Sequence, residues 1–136
     1  MHLKDQINPS GDQLKHLFTS YPKDTPITML NLIRYRGEVN EMDGASGEEV
    51  YQCYLAEATP FIKKVKGRLI WKGTVHSTLI GDSENEPQVV FLVTYPSIDH
   101  FAQMLQDPEY LEVAKLRTMS IEYGGLIATM QSYPQP

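Results

Sequence analysis

The chain has 136 residues, a usual length for one domain able to bury roughly two-thirds of its unfolded surface, so a core can form without staples. Its 12 Lys and Arg against 17 Asp and Glu give a formal net charge of −5, which leaves no basic footprint for nucleic acid. The one cysteine, Cys53, excludes an internal disulfide and reads as a small apolar helix residue; Met1–Gln6 lacks the apolar stretch of a secretory leader and no run approaches a membrane span, so a cytoplasmic location is expected.

Ser10, with Gln13 three residues on, predicts a capping box that opens a helix with Leu14, Leu17 and Phe18 on its apolar face; Tyr21-Pro22 ends it. Ile27–Ile33 is apolar at nearly every position, which predicts a strand covered on both faces and therefore central. After Arg34–Arg36, a polar stretch to Ser46 containing Gly37 and Gly44 predicts a loop long enough to form a rim or lid. Ser46-Gly47-Glu48-Glu49 is a second capping box, followed at helical spacing by Val50, Tyr51, Tyr54, Leu55, Ala58, Phe61, Ile62 and Val65. Pro60 is expected to kink or interrupt this helix near Leu55–Ala58, and Gly67 to end it.

Arg68–Ile80 predicts a long strand with Gly73 as its candidate bulge, paired as a hairpin with a second doubly covered strand, Val89–Tyr95. Pro96-Ser97 opens a helix carrying Phe101, Met104 and Leu105, and Asp107-Pro108 restarts it with Leu111, Ala114 and Leu116 on the buried side. Gly124-Gly125 is expected to end that helix, and Leu126–Met130 to form the last strand. Setting the N-terminal helix aside, the order β, α, β, β, α, β is that of a ferredoxin-like α+β fold, with both helices on one face of a four-stranded antiparallel sheet. The first and third strands are apolar on both faces, so a second copy is expected to cover the other face in a symmetric homodimer.

The stretches Met29-Leu30-Asn31-Leu32, Gly67-Arg68-Leu69-Ile70-Trp71-Lys72-Gly73, Tyr95-Pro96-Ser97 and Asp107-Pro108-Glu109-Tyr110, ending in Leu116-Arg117, together resemble the DUF1330 family of the dimeric α/β-barrel superfamily, over about residues 26 to 130. The resemblance implies one domain over 1–136, with residues 1–25 as an N-terminal helical extension to that core. It implies no known activity, because the wider superfamily spans cofactor-independent monooxygenases, polyketide cyclases, muconolactone-type isomerases and haem-degrading enzymes. In the haem-degrading relatives an asparagine on the first strand works with a tryptophan at the end of the third and an axial histidine on the second helix. Asn31 matches the first of these, but Tyr95 stands at the second position and Val113–Arg117 holds no histidine, so no haem and no other cofactor is expected.

Asn31 is an amide in an apolar strand; it either bonds neighbouring backbone or orients a ligand carbonyl. His76 is the best general acid or base, sharing an alternating face with Ile70, Lys72 and Thr74 unless a bulge reverses that parity; its plain alternative is a surface histidine. Trp71, Tyr51 and Tyr54 either line an aromatic cavity between sheet and first core helix or are plain core. Arg34, Arg68 and Arg117 can each bind a carboxylate or enolate oxygen, or sit in a solvated ion pair; Arg117 is preferred for its place in the family-like Leu-Arg. The histidines His2, His16, His76 and His100 lack metal-ligand spacing, so no metal is expected.

Two readings follow. One is a cofactor-independent enzyme, of isomerase, cyclase or monooxygenase type, acting on a small aromatic, polyketide-like or lactone metabolite, with His76 as acid/base and Arg117 and Asn31 stabilising oxyanion charge. The other is a non-catalytic dimeric small-ligand-binding or accessory protein. Convergence of Asn31, His76 and Arg117 on one cavity separates the first from the second.

Overall fold

The computed structural model describes residues 7–136; Met1–Gln6, read above for a leader, lies outside the described residues. Local chemistry sets the helix starts. Ser10 accepts from the Gln13 amide at 3.1 Å while the Gln13 side chain accepts from the Ser10 amide, opening α1 (Gly11–Ser20). Ser46 and Glu49 repeat the exchange at α2 (Gly47–Lys64), Ser97 caps α3 (Ile98–Leu105), and Asp107 with Pro108 starts α4 (Pro108–Ser120). The strands are β1 (Ile27–Tyr35), β2 (Arg68–Thr74), β3 (Val89–Tyr95) and β4 (Ile121–Thr129).

The four strands form one antiparallel sheet in the order β2-β3-β1-β4, the ferredoxin-like arrangement. Within one chain the sheet is open, with β2 and β4 as its edges. Strand periodicity sorts the two faces. Ile27, Met29, Asn31 and Ile33 of β1 and Val89, Phe91, Val93 and Tyr95 of β3 are buried under the helices. Thr28, Leu30 and Leu32, paired with Thr94, Leu92 and Val90, form the middle of the opposite face and are only half-buried. The central strands are thus apolar on both faces, as expected, and one face carries no helix.

Several expectations are corrected. Pro60 does not interrupt α2, which runs through it to Lys64. The left-handed residue that closes the helix end is Lys66, with φ of 62°, rather than Gly67, and Lys66 and Gly67 donate to Lys63 and Ile62 carbonyls at 2.9 and 2.8 Å. Gly67 is required for a different reason, since a Cβ there would lie 2.7 Å from Ile62 and 2.8 Å from Tyr95. The expected strand to Ile80 stops at Thr74, and its bulge falls between Leu69 and Trp71 rather than at Gly73. Gly124 and Gly125 do not end a helix; they lie inside β4, which begins at Ile121. Cys53 lies on α2, as expected of a helix residue, and is exposed.

α2 and α4 lie side by side and antiparallel, from a contact between Gly47 and Ser120 at one end to a Lys64–Asp107 ion pair of 3.5 Å at the other. At the first end the backbones interlock. Gly47 N–H donates to the Arg36 carbonyl at 3.0 Å, and Arg36 N–H to the Ser120 carbonyl at 2.9 Å. No helix among the described residues is long and apolar enough to cross a membrane.

Candidate functional site

The space between α2, α4 and the sheet gathers most of the polar groups that the core contains. On α2, Tyr51 and Tyr54 are one turn apart and buried; on α4, Tyr110 and Arg117 are seven residues apart and so share a helix face. The rings form a continuous row. Tyr35 meets Tyr51 at 5.7 Å between centroids, Tyr51 meets Tyr54 at 5.4 Å, the Tyr54 and Tyr110 hydroxyls bond at 2.7 Å, and Phe61 meets Tyr110 edge-on at 6.0 Å.

Arg117 reaches from α4 onto β4, donating through Nη2 to the Gly124 carbonyl at 2.9 Å and through Nη1 to the Ile7 carbonyl. The missing side chain at Gly124 makes this possible, because a Cβ there would lie 2.5 Å from Nη2. Gly124 pairs with Ile33 on the helix-covered face, and Asn31 stands two residues along the same face, roughly 7 Å away. Asn31 donates from Nδ2 to the Met29 carbonyl at 3.2 Å. Its Oδ1 and the Tyr51 hydroxyl make no hydrogen bond to another described residue. Tyr51 is only 1% exposed and Asn31 9%, so both side chains lie within the layer between sheet and helices.

Burial pushes the Tyr51 and Tyr54 hydroxyls well above the ordinary tyrosine value of 10.0, and the Arg117 charge offsets part of the rise at both. Both hydroxyls are therefore donors at any ordinary pH. Tyr95 is raised in the same direction by burial. The sign of the linkage follows: above about pH 10 the unfolded tyrosines ionise while these three hold their protons, so stability is full below that pH and lost as pH rises. The urea midpoint is expected to fall between about pH 8 and about pH 11, and Tyr51→Phe is expected to lose less over that interval. An equal loss in both proteins would remove Tyr51 from the effect.

The other candidate residues lie elsewhere. Thr74, Val89, Ile33 and Gly124 stand side by side across the four strands, so Thr74 and the Gly124 end of the site are three strand spacings, roughly 14 Å, apart. His76 lies two residues beyond Thr74, outside the strand, exposed and paired with Ser77 Oγ at 3.0 Å. One chain therefore does not bring His76 together with Asn31 and Arg117. Trp71 is opposite Leu92 on the uncovered face, 55% exposed and folded over Gly73, so it does not line a cavity with Tyr51 and Tyr54. Arg34 is committed to Glu122 at 2.8 Å and to the Glu86 carbonyl, and Arg68 is exposed on the edge strand. A cleft of about 350 Å³ lies apart from Arg117, lined by Phe61, Met104, Gln103 and Gln106 and bordered by Lys64 and Asp107, which pair with each other at 3.5 Å.

Tyr110 and Tyr35 were missed by the sequence reading. The interval of seven between Tyr110 and Arg117 marks a shared helix face and was the available signal for the first; Tyr35 carried none, because it lies at the end of its strand where the register shifts.

A family model described as "Domain of unknown function (DUF1330)" matches residues 41–129. A protein of unknown function from Rhodopseudomonas palustris, solved by crystallography, is 30% identical with a TM-score of 0.89, over 95% of this chain and 98% of that one. Hydroxynitrile lyase from Passiflora edulis is 15% identical with a TM-score of 0.61, over 83% of this chain and 99% of its own. A dimeric protein of unknown function and ferredoxin-like fold from Bacteroides fragilis is 12% identical with a TM-score of 0.53, over 78% of this chain and 96% of its own. The last two are similar in fold alone. No curated protein matches the sequence.

Proposed function

This chain belongs to the DUF1330 family, a domain of unknown function, and from that premise we propose that the space between α2, α4 and the sheet binds a small aromatic, polyketide-like or lactone-type metabolite. One observation supports the reading: Tyr51, almost wholly buried and within reach of the Arg117 charge, has a hydroxyl with no hydrogen-bond partner among the described residues. A buried donor left open in this way is matched by a ligand oxygen. The aromatic row gives a planar ligand its wall, and Asn31 offers a carboxamide oxygen and a remaining N–H.

The groups gathered there polarise rather than abstract. Arg117 and a protonated Tyr51 can stabilise negative charge developing on a ligand oxygen, which is the electrostatic half of isomerase, cyclase or monooxygenase chemistry. The proton-accepting half is assigned to His76 only with difficulty, given its distance and exposure, so simple binding is the better supported reading; an enzymatic one takes its base from the substrate. Neither needs a cofactor, and the setting we propose for both is the cytoplasm. Native mass spectrometry after incubation with a cell extract is expected to show a retained small molecule on the wild type, reduced in Tyr51→Phe combined with Asn31→Leu. Retention unchanged by the double substitution would contradict the site.

We also propose that two copies pair through the uncovered sheet face, closing the layers into a barrel-like dimer. Leu30, Leu32, Val90 and Leu92 lie half-buried at its middle, with Trp71 and Ile127 exposed beside them. Leu79 and Ile80, each 95% exposed on the loop after β2, add further uncovered apolar surface. A protein of the same fold is dimeric.

A further inference from the structure

We propose that the ligand of this site carries a permanent negative charge, a carboxylate held by Arg117; the inference rests on the binding-site reading above and narrows it to one chemical class. Arg117 is half-buried, and none of the ion pairs among the described residues includes it. Arg34 and Arg36, by contrast, each have an acidic partner. A guanidinium drawn partly out of water without a counter-charge is unfavourable, and the two carbonyls that hold it supply dipoles rather than charge.

Those two bonds also fix the fork. Of the five guanidinium N–H donors, Ile7 and Gly124 take one each, on Nη1 and Nη2, leaving three without a protein acceptor among the described residues. A planar carboxylate accepts two such donors at once, and its flat shape suits a site walled by tyrosine rings. The Tyr51 hydroxyl, within range of the same charge, supplies a third donor, and the Tyr35–Tyr51–Tyr54 row suits an aromatic body attached to the carboxylate. The acidic net charge of the chain works against long-range attraction of anions, so local pairing with Arg117 has to carry the preference.

Phenylacetate and phenylacetamide share shape and differ in charge, which makes them the probes. In titrations followed by two-dimensional NMR of the wild-type protein, phenylacetate is expected to bind about tenfold more tightly than the amide, a ratio that falls as salt is raised. Arg117→Gln is expected to abolish the ratio and Arg117→Lys to retain part of it. Should Arg117→Gln fail to fold, the wild-type pair of probes decides alone. Equal affinity for the two probes, or a preference that survives Arg117→Gln, overturns the carboxylate assignment while leaving the binding site intact. Failure of both probes to perturb the Tyr51 and Asn31 signals at tens of millimolar overturns the binding site, and the carboxylate assignment with it.

Discussion

Gly47→Ala is expected to lower folding stability by about 3 kcal/mol, because the added methyl has nowhere to go. A Cβ at this position would lie 2.2 Å from the Arg36 carbonyl oxygen, 2.4 Å from that of Ser120 and 2.6 Å from the Arg36 nitrogen. All three atoms are backbone, locked in the hydrogen bonds that join the end of β1, the start of α2 and the end of α4. Ser120 is fully buried, so that end of the site cannot open toward solvent. The neighbouring substitution Ser46→Ala removes only a cap and is expected to cost about 1 kcal/mol. Urea denaturation of both variants checks the contrast; a Gly47→Ala midpoint no lower than that of Ser46→Ala would mean that the three backbones are not packed as described.

Leu92→Lys is expected to leave a folded monomer, whereas the wild type is expected to run as a dimer. Leu92 sits at the middle of the uncovered face, opposite Leu30 on one side and Trp71 on the other. In a single chain the lysine meets water and costs little. In a face-to-face pair the symmetry buries two unpaired ammonium groups, and a penalty of about 4 kcal/mol weakens association roughly a thousandfold. Light scattering at micromolar concentration reads the result directly. A wild type that runs as a stable monomer would remove the dimer, and a Leu92→Lys variant that still dimerises like the wild type would move the interface off this face.

What was legible in the sequence was chiefly local. Ser10, Ser46, Ser97 and Asp107 announce helix starts through bonds spanning two or three residues, and each helix begins where its cap places it. The doubly apolar Ile27–Ile33 and Val89–Tyr95 announce the two central strands for the same reason. What was misread depends on partners distant in sequence. Gly124 looks like a helix stop but is bare because Arg117 lies on it, seven residues back and on another element. Trp71 changed faces because one extra residue, Ile70, enters the edge strand and reverses the alternation after it. His76 lies away from Arg117 because its strand ended early, whereas Tyr51 and Tyr54 on α2 and Arg117 on α4 come close, and Asn31 lies on the helix-covered face of β1.

A crystal structure of the protein soaked with phenylacetate tests the placement of the ligand on the helix-covered face most directly. The predicted result is a ring bounded by Tyr51 and Asn31, with the carboxylate within hydrogen-bonding distance of Arg117. A ring lying instead over Trp71 and Leu92, on the opposite face of the sheet, would contradict it.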